Sequence, residues 1–249
     1  MSNSKKQDDA QNEYHGKDEL IVSENSLPNY NRFIVESFIN SSKLNNLDVV
    51  EKSLFRTLDF GAGYGALAII WREKTRQDIE CLEIDPEQID VLKTRGFIAW
   101  NSVSEIKNKF RFIYSSNVLE HIEDDGKCLR ELTTLLEPGG RIGIYVPAFM
   151  LLFSDLDRSV GHYRRYRKKD LIKKAEGAGL TVIKCQYVDS IGFFASLLIK
   201  ILGWKSTGNI GSAKSLKMYD SVIFPVSRYL DRLTFGKVFG KNLILIAEK

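Results

Sequence analysis

The hydrophobic pattern alternates between short apolar runs and stretches with helix-like spacing. The apolar runs are RTLDF, IECLEI, FIAW, FRFIYSS and RIGIYVP, and helix-like runs at residues 62–74, 86–94 and 124–136 separate several of them. Such alternation requires crossover connections between strands. It therefore predicts an α/β domain with a mostly parallel sheet.

Further elements extend this pattern at both ends. Residues 30–41 have Phe33, Ile34, Phe38 and Ile39 at helical spacing, which predicts a short helix that packs ahead of the sheet or caps a ligand pocket. The helix at 124–136 should end at EPGG, because proline cannot continue a helix and glycine lets the chain turn. The last run, NLILIAEK, predicts an antiparallel strand at the sheet edge or inserted within it.

Composition fits one domain with additions, since 249 residues at 43% hydrophobic content can bury a sizeable core. Residues 1–25 contain charges of both signs and no apolar core, so we predict a flexible segment rather than a signal peptide or membrane anchor. The net charge of +4 is too small to indicate a polyanionic partner. It is compatible with an acidic ligand or a membrane surface.

Cysteine and histidine are sparse. The three cysteines, Cys81, Cys128 and Cys185, lack the paired spacing of a zinc site or a redox dithiol. The three histidines are His15, His121 and His162. We therefore expect no metal, and a reduced, cytoplasmic chain.

A glycine-rich loop follows the first predicted strand. Gly61, Gly63 and Gly65 stand where that strand gives way to a helix, and glycine permits a tight turn with close approach of a ligand. Amides at a helix start also favour a ligand carboxylate. Glu83 ends the next strand, 24 residues after Asp59, where a carboxylate can accept hydrogen bonds from both ribose hydroxyls.

Four segments, LDFGAGYG, LEIDPEQ, SSNVLEHI and LLEPGGRIGIYVP, resemble class I S-adenosylmethionine-dependent methyltransferases of type 11/12, the ubiquinone/menaquinone-methyltransferase-like kind, over about residues 56–187. The resemblance implies a doubly wound, seven-stranded, mostly parallel Rossmann-like sheet with an antiparallel C-terminal strand. It also implies S-adenosyl-L-methionine as cofactor. The domain would span residues 26–249, with acceptor-side inserts at about 148–166 and 189–241.

The resemblance also assigns cofactor residues. Asp59 would begin the loop, Glu83 would bind the ribose, and Ser116 with Asn117 would line the reaction face. The turn beside the methionine part would comprise Gly61, Ala62, Gly63 and Gly65. The adenine side would comprise Ile84, Asn101 and Ser102, although family members often carry an acidic residue after the third strand. Another departure is Arg111, where the family usually has aspartate and where we expect only an altered salt bridge.

A nicotinamide-dependent oxidoreductase shares the strand, the glycine loop and the acidic residue. The G-x-G-x-G spacing, the EPGG segment and the apolar final strand favour the methyltransferase. An alternative of another class is a catalytically inactive binding module at a membrane assembly.

The catalytic candidates are His121 and His162. Methyl transfer depends mainly on positioning, and a base is needed only when the acceptor must lose a proton early. In SNVLEH, His121 can act as that base because imidazole titrates near neutral pH. Alternatively, Glu120 and His121 orient the loop.

The segment DLDRSVGHYRRYRKKDL resembles the GHxRRY element of a bacterial subgroup whose members often lie among glycan- and lipid-assembly genes. Arginine forks suit carboxylate or phosphate, and the neighbouring residues add donors and stacking surfaces. The candidate acceptor residues are His162, Tyr163, Arg164, Arg165 and Tyr166. The alternative is that the arginines pin the loop by pairing with Asp155 and Asp157.

The expected reaction is O-methylation of a saccharide or lipid-linked glycan precursor, with a quinone-like or other small metabolite as the alternative acceptor.

Residues 191–204, IGFFASLLIKILGW, are too short to span a bilayer. They form either a buried helix or an interfacial helix or lid, and the interfacial alternative implies peripheral contact at the inner face of the membrane. We expect no nucleic-acid partner, because the fourth strand ends in SSNVLEH rather than the proline-aromatic tetrapeptide of base-amino methylation.

Overall fold

The fold is known from a computed structural model that describes residues 26–201, 213–234 and 236–249. The predicted flexible segment 1–25 and the end of the predicted helix 191–204 lie outside the described residues. Within them, one sheet contains the strands β1 Thr57–Phe60, β2 Glu80–Leu82, β3 Ile98–Trp100, β4 Phe110–Ser116, β5 Leu136–Pro147, β6 Thr181–Val188 and β7 Asn242–Glu248.

The strand order is β3-β2-β1-β4-β5-β7-β6. Pairs among β1 to β5 are parallel, whereas β7 is antiparallel to both β5 and β6. The predicted Rossmann-like methyltransferase fold is therefore confirmed. The C-terminal strand is inserted between two others and does not form the edge.

The helices are α1 Pro28–Ser41, α2 Val49–Ser53, α3 Ala66–Thr75, α4 Pro86–Thr94, α5 Asp125–Leu135, α6 Asp155–Ser159, α7 Lys168–Gly177, α8 Ser190–Ile201, α9 Ala213–Met218 and α10 Phe224–Thr234. A π-helical turn, Tyr219–Ile223, separates α9 from α10. Among the described residues, no helix combines the length and the apolar character needed to cross a bilayer.

Hydrophobic cores lie on both faces of the sheet. One contains Leu129 of α5 and Leu171 of α7, and the other contains Phe38 of α1 and Trp71 of α3. The Trp71 ring stacks on Phe112 of β4, with ring centroids 5.6 Å apart. Because the central strands are covered on both sides, their sequences are nearly continuous apolar runs.

Two predicted boundaries were wrong. The helix expected at residues 62–74 begins at Ala66, because the loop before it includes Gly61, Gly63 and Gly65 at positive φ. The EPGG segment belongs to β5 and forms an irregularity in its pairing with β4, where Phe110 faces Leu136 but Phe112 faces Arg141. Proline and glycine here interrupt a strand instead of separating a helix from one.

The elements beyond the carboxyl ends of the strands are tied together by capping carboxylates. Asp220 in the π-helical turn accepts hydrogen bonds from the amides of Asn29 (3.0 Å) and Tyr30 (2.8 Å) in the first turn of α1. Asp231 of α10 similarly accepts from the amides of Asp189 and Ser190 at the start of α8. The amino-terminal helix and the second insert thus form one connected layer.

Candidate active site

The glycine loop is shaped by the residues around it. A Cβ atom on Gly61 would lie 2.2 Å from Cγ2 of Val118, and one on Gly65 would lie 2.7 Å from Cδ2 of Leu92. Both glycines also have positive φ, which side chains disfavour. The amides of Gly61 and Ala62 donate to the carbonyl of Leu82, so the loop is held against β2.

Glu83 lies at the end of β2 and binds three backbone amides. Its Oε2 accepts from Gly63 at 2.9 Å, and its Oε1 accepts from Ile84 at 2.7 Å and Asp85 at 3.2 Å. Asp59 is also buried and accepts a hydrogen bond from the Tyr114 hydroxyl at 2.9 Å. The predicted loop, its acidic start and its acidic partner are therefore brought together.

The residues predicted for the adenine side lie next to this carboxylate. Ile84 is 58% exposed. With Asn101 it lines a groove of about 500 Å³ whose other residues are Pro86, Ile89, Asp90 and Lys93. The Ser102 hydroxyl accepts the amide of Ser104 at 3.2 Å. Ile84 and Asn101 thus share the groove, whereas Ser102 caps the short turn that follows β3.

The reaction-face candidates Ser116 and Asn117 end β4. Asn117 has φ of 54° and donates its amide to the Tyr145 carbonyl at 2.8 Å. Asparagine tolerates this left-handed conformation better than most residues. The turn directs the chain away from the sheet into the 3-10 turn Leu119–His121, which carries Glu120 and His121.

Glu120, His121 and His162 form a cluster at this position. One possible ligand atom from each side chain lies within 4.8 Å of the others. His162 Nε2 is 3.9 Å from Glu120 Oε1, and its Nδ1 is 2.7 Å from Asp157 Oδ1. The Glu120 side chain is fully buried, and apart from contact with its own backbone neither of its oxygens has a hydrogen-bond partner within the part of the chain that the structure describes.

Burial sets the protonation states of this cluster. It raises the pKa of Glu120 to about 8, although a backbone hydrogen bond and Arg165 oppose the shift. It lowers the pKa of His121 to about 4, and the neighbouring His162 acts in the same direction. Both groups are therefore mostly neutral at pH 7 in the absence of a bound cation.

Three of the five predicted acceptor residues pin the loop instead. Arg165 forms a two-point ion pair with Asp157, at 2.8 and 3.0 Å. Asp125 pairs with Arg164 at 3.0 Å and accepts a hydrogen bond from the Tyr166 hydroxyl at 2.8 Å. These contacts favour the loop-pinning alternative, although the second carboxylate partner of the arginines is Asp125 and not Asp155. Asp155 pairs on the surface with Arg158.

His162 and Tyr163 remain available from that set. Tyr163 is exposed and its amide donates to the Glu120 carbonyl at 2.8 Å. His162 is bonded through one nitrogen and directs the other towards Glu120.

Arg111, where we expected an altered salt bridge, forms a surface ion pair with Glu137 at 2.9 Å.

Sequence reasoning missed a second polar group in the layer above the sheet. The Tyr30 hydroxyl is 3.0 Å from both the Tyr145 hydroxyl and Nδ2 of Asn242, while Tyr219 donates to Asp189. Burial raises the pKa of Tyr30 above its usual range, and the charges of Asp189 and Glu120 add to the rise. These residues come from widely separated segments, so no local motif marks them.

Comparison with known proteins agrees with this geometry. Residues 29–185 match a family model described as a methyltransferase domain. The chain therefore belongs to the methyltransferase-domain family. A search of curated proteins gave no match.

Solved structures share the fold at low sequence identity. A putative sarcosine dimethylglycine methyltransferase from Galdieria sulphuraria aligns with a TM-score of 0.57 and 20% identity, over 88% of this chain and 84% of the other. Phosphoethanolamine N-methyltransferase 2 from Haemonchus contortus, bound to S-adenosyl-L-methionine, gives 0.51 and 17%, over 78% and 48%. The mycolic acid cyclopropane synthase CmaA1, complexed with SAH and CTAB, gives 0.53 and 14%, over 82% and 87%.

The fold and the family define a class I S-adenosylmethionine-dependent methyltransferase. The predicted cofactor, S-adenosyl-L-methionine, is confirmed at the level of this class.

Proposed function

We propose that this methyltransferase transfers the methyl group to a hydroxyl oxygen of a saccharide or of a lipid-linked glycan precursor. The observation that carries the proposal is the cluster of Glu120, His121 and His162 beside the end of β4. A hydroxyl is a weak nucleophile until its proton is withdrawn, so an oxygen acceptor needs activating groups at this position. Asp157 fixes the His162 ring and leaves Nε2 available to the acceptor.

The polar groups opposite suit a neutral, hydroxyl-rich acceptor. The hydroxyls of Tyr30 and Tyr145 are joined by a hydrogen bond, and Asn242 contacts Tyr30. Each of these groups can donate and accept, as sugar hydroxyls require. The arginines, in contrast, are occupied by Asp157 and Asp125, which argues against a recognition site built on their charge.

Aromatic packing favours a second candidate acceptor, a quinone-like ring bearing a hydroxyl. Phe149 lies two residues after the end of β5 and stacks on Tyr187 at 4.7 Å between centroids, while Phe193 packs edge-on against it at 5.4 Å. Such rings offer a flat apolar wall to an aromatic acceptor. The activating cluster would serve either hydroxyl.

Exposed apolar side chains support a lipid-linked acceptor. On α8, Phe194 is 53% exposed and Leu198 is 57% exposed, so of the two alternatives for this helix the buried one does not hold for these residues. The adjoining α10 exposes Tyr229 and Leu233 as well. We propose that α8 and α10 contact a membrane peripherally, assisted by nearby exposed basic residues such as Arg232.

The reaction is tested by incubating the protein with methyl-labelled S-adenosylmethionine and fractionated extract, followed by mass spectrometry of the products. A labelled methyl ether on a glycan precursor is the expected product. His162→Ala should lower turnover while calorimetry shows unchanged affinity for S-adenosylmethionine. Calorimetry that detects no cofactor binding to the wild-type chain would instead favour an inactive binding module.

Membrane contact is tested by sedimentation with phospholipid vesicles that contain or lack anionic lipid. The wild-type chain should sediment with anionic vesicles, and the double variant Phe194→Ser with Leu198→Ser should sediment less. A wild-type chain that stays in the supernatant with both kinds of vesicle contradicts peripheral contact.

A further inference from the structure

The cluster at the end of β4 has the composition of a metal centre. Two imidazoles and one carboxylate are the ligand set of a common type of catalytic zinc site, which keeps an open position for water or substrate. We propose that Glu120, His121 and His162 bind one divalent transition-metal ion, of which Zn²⁺ is the best chemical match. This inference rests on the proposed function, specifies how the cluster activates the acceptor, and revises the expectation of no metal from sequence.

The first argument is the state of Glu120. Its carboxyl group is fully buried, yet apart from contact with its own backbone both oxygens lack hydrogen-bond partners among the described residues. Buried polar atoms in folded proteins nearly always have partners, so an exception calls for a ligand or ion. His162 Nε2 lies 3.9 Å from Oε1, and possible ligand atoms of both histidines lie within 4.8 Å of the carboxylate.

The second argument is the set of contacts around the ligands. Histidines that bind metals usually donate their other ring N–H to a carboxylate or a backbone carbonyl, which fixes the free nitrogen. Asp157 does this for His162, with 2.7 Å between Oδ1 and Nδ1. The His121 ring is hydrogen-bonded to the backbone of Val160 and Gly161. Both imidazoles are therefore oriented by partners outside the cluster.

The distances require only a small closure. Zinc binds nitrogen and oxygen at about 2.0–2.2 Å, which places two ligands of a tetrahedral ion about 3.4 Å apart. His162 Nε2 and Glu120 Oε1 are 3.9 Å apart, and no pair of ligand atoms exceeds 4.8 Å. Shifts of about 1 Å or less in the Glu120 and histidine side chains would complete the site.

A metal here would perform the activation that an oxygen acceptor requires. The acceptor hydroxyl would occupy the open position, where the cation lowers its pKa and its proton passes to solvent water. The alkoxide oxygen would then form a bond to the methyl carbon. The carbon–sulfur bond would break with its electron pair on sulfur, giving S-adenosylhomocysteine. His162 would act as a ligand and not as the proton acceptor.

Direct metal binding tests the proposal without reference to turnover. Tag-free full-length protein is treated with a chelator, passed through a desalting column and titrated with Co²⁺ and Zn²⁺ by calorimetry. Visible absorption also reports the Co²⁺ coordination. We expect one saturable site. Its affinity for Co²⁺ should fall more than about 100-fold in Glu120→Gln and in His162→Gln. Loss of a residue that only hydrogen-bonds to a metal ligand typically costs about 10–100-fold. Asp157→Asn should fall within that smaller range.

Matched controls separate this site from surface binding. His15→Gln removes a histidine in residues 1–25, and Glu123→Gln removes an exposed carboxylate near the cluster; both should bind Co²⁺ like the wild-type chain. Absence of saturable binding overturns the proposal. Binding that survives both cluster variants, with their folding verified by circular dichroism, also overturns it.

The two proposals fail in different ways. Methyl transfer at full rate in excess chelator, together with no Co²⁺ binding, would overturn the metal site and leave the proposed function standing. Saturable Co²⁺ binding at the cluster, with no methylated product from any extract fraction, would overturn the proposed acceptor and leave the metal site.

Discussion

Two glutamates at the crevice, Glu83 and Glu120, have opposite surroundings. Both are buried: Glu83 directly follows β2, and Glu120 lies in the 3-10 turn after β4. Glu83 accepts hydrogen bonds from three backbone amides. Glu120 accepts none from any other described residue, and burial raises its pKa to about 8.

The difference distinguishes two parts of the candidate active site. We call the cofactor side around Glu83 the preorganised half and the acceptor side around Glu120 the incomplete half. On the cofactor side, the backbone supplies the donors, so the site has its shape before a ligand arrives. On the acceptor side, His162 of the first insert lies 3.9 Å from the buried carboxyl group of Glu120, which still needs a partner. Changes on the two sides should therefore affect different quantities.

The largest effect is expected from Asp157→Ala, which removes the residue that supports the incomplete half. Asp157 is buried and pairs with Arg165 and His162. Burial would raise its pKa, but those hydrogen bonds hold it well below its usual range, so its contribution to stability is lost only in strong acid. Leaving the largely buried Arg165, whose side chain is 11% exposed, unpaired should cost about 3–5 kcal/mol.

That loss should lower the melting temperature by about 6–20 °C in a scanning calorimeter. Asp155→Ala is the matched control, because Asp155 is 91% exposed and its pairing with Arg158 lies on the surface. Equal melting temperatures for the two variants would show that the loop is not held by Asp157.

The next largest effect is expected from Glu83→Ala on the cofactor side. It removes the acceptor for the amides of Gly63, Ile84 and Asp85 and the predicted ribose contact. Charged hydrogen bonds contribute about 1.5–3 kcal/mol, so affinity for S-adenosylmethionine should fall about 10- to 150-fold by calorimetry. Glu73→Ala, at an exposed position on α3, should leave the affinity unchanged.

The preorganised half is also the half that sequence predicts best. Asp59, the glycine loop and Glu83 lie within 25 residues or so of each other and follow strand ends, so local spacing defines their geometry. Their hydrogen bonds are largely to backbone atoms. Ser102 was the exception, because its role as a cap depends on a short turn that the spacing does not reveal.

The incomplete half depends on contacts between distant segments, which spacing does not determine. Arg164 and Arg165 were predicted either to bind the acceptor or to pin the loop, but the pairing of Arg164 with Asp125 could not be predicted, since Asp125 comes from α5. Tyr30 and Tyr145 are 115 residues apart and meet because α1 packs on the sheet, with its first turn capped by Asp220. The GHYRRY element thus indicates a candidate acceptor loop without distinguishing support from recognition.

A smaller effect is expected from Glu120→Gln, measured as the pH dependence of unfolding in the presence of a chelator. With its folded pKa near 8 and an ordinary value of 4.5, Glu120 stabilises the fold below pH 4.5, and this contribution is lost as the pH rises towards 8. Glutamine does not titrate. The variant should therefore gain about 1–2 kcal/mol relative to the wild-type chain between pH 6 and pH 8.

Denaturant titrations at both pH values measure this change. Glu123→Gln, which alters an exposed carboxylate three residues away, should follow the wild-type pH dependence. Parallel curves for Glu120→Gln and the wild-type chain would mean that Glu120 ionises normally, and the contrast with Glu83 would then disappear.

The smallest effect is expected from Ile84→Ala, which probes whether the groove beside Glu83 holds the adenine ring. Ile84 is 58% exposed, so the variant should lose little stability, while an apolar contact with a bound base would be lost. Removing part of such a contact should weaken cofactor binding by about 1 kcal/mol, near fivefold. Ile183→Ala, 48% exposed on β6, removes the same group far from the loop and should bind the cofactor like the wild-type chain. Indistinguishable affinities for the two variants would place the base elsewhere and limit the preorganised half to the glycine loop and Glu83.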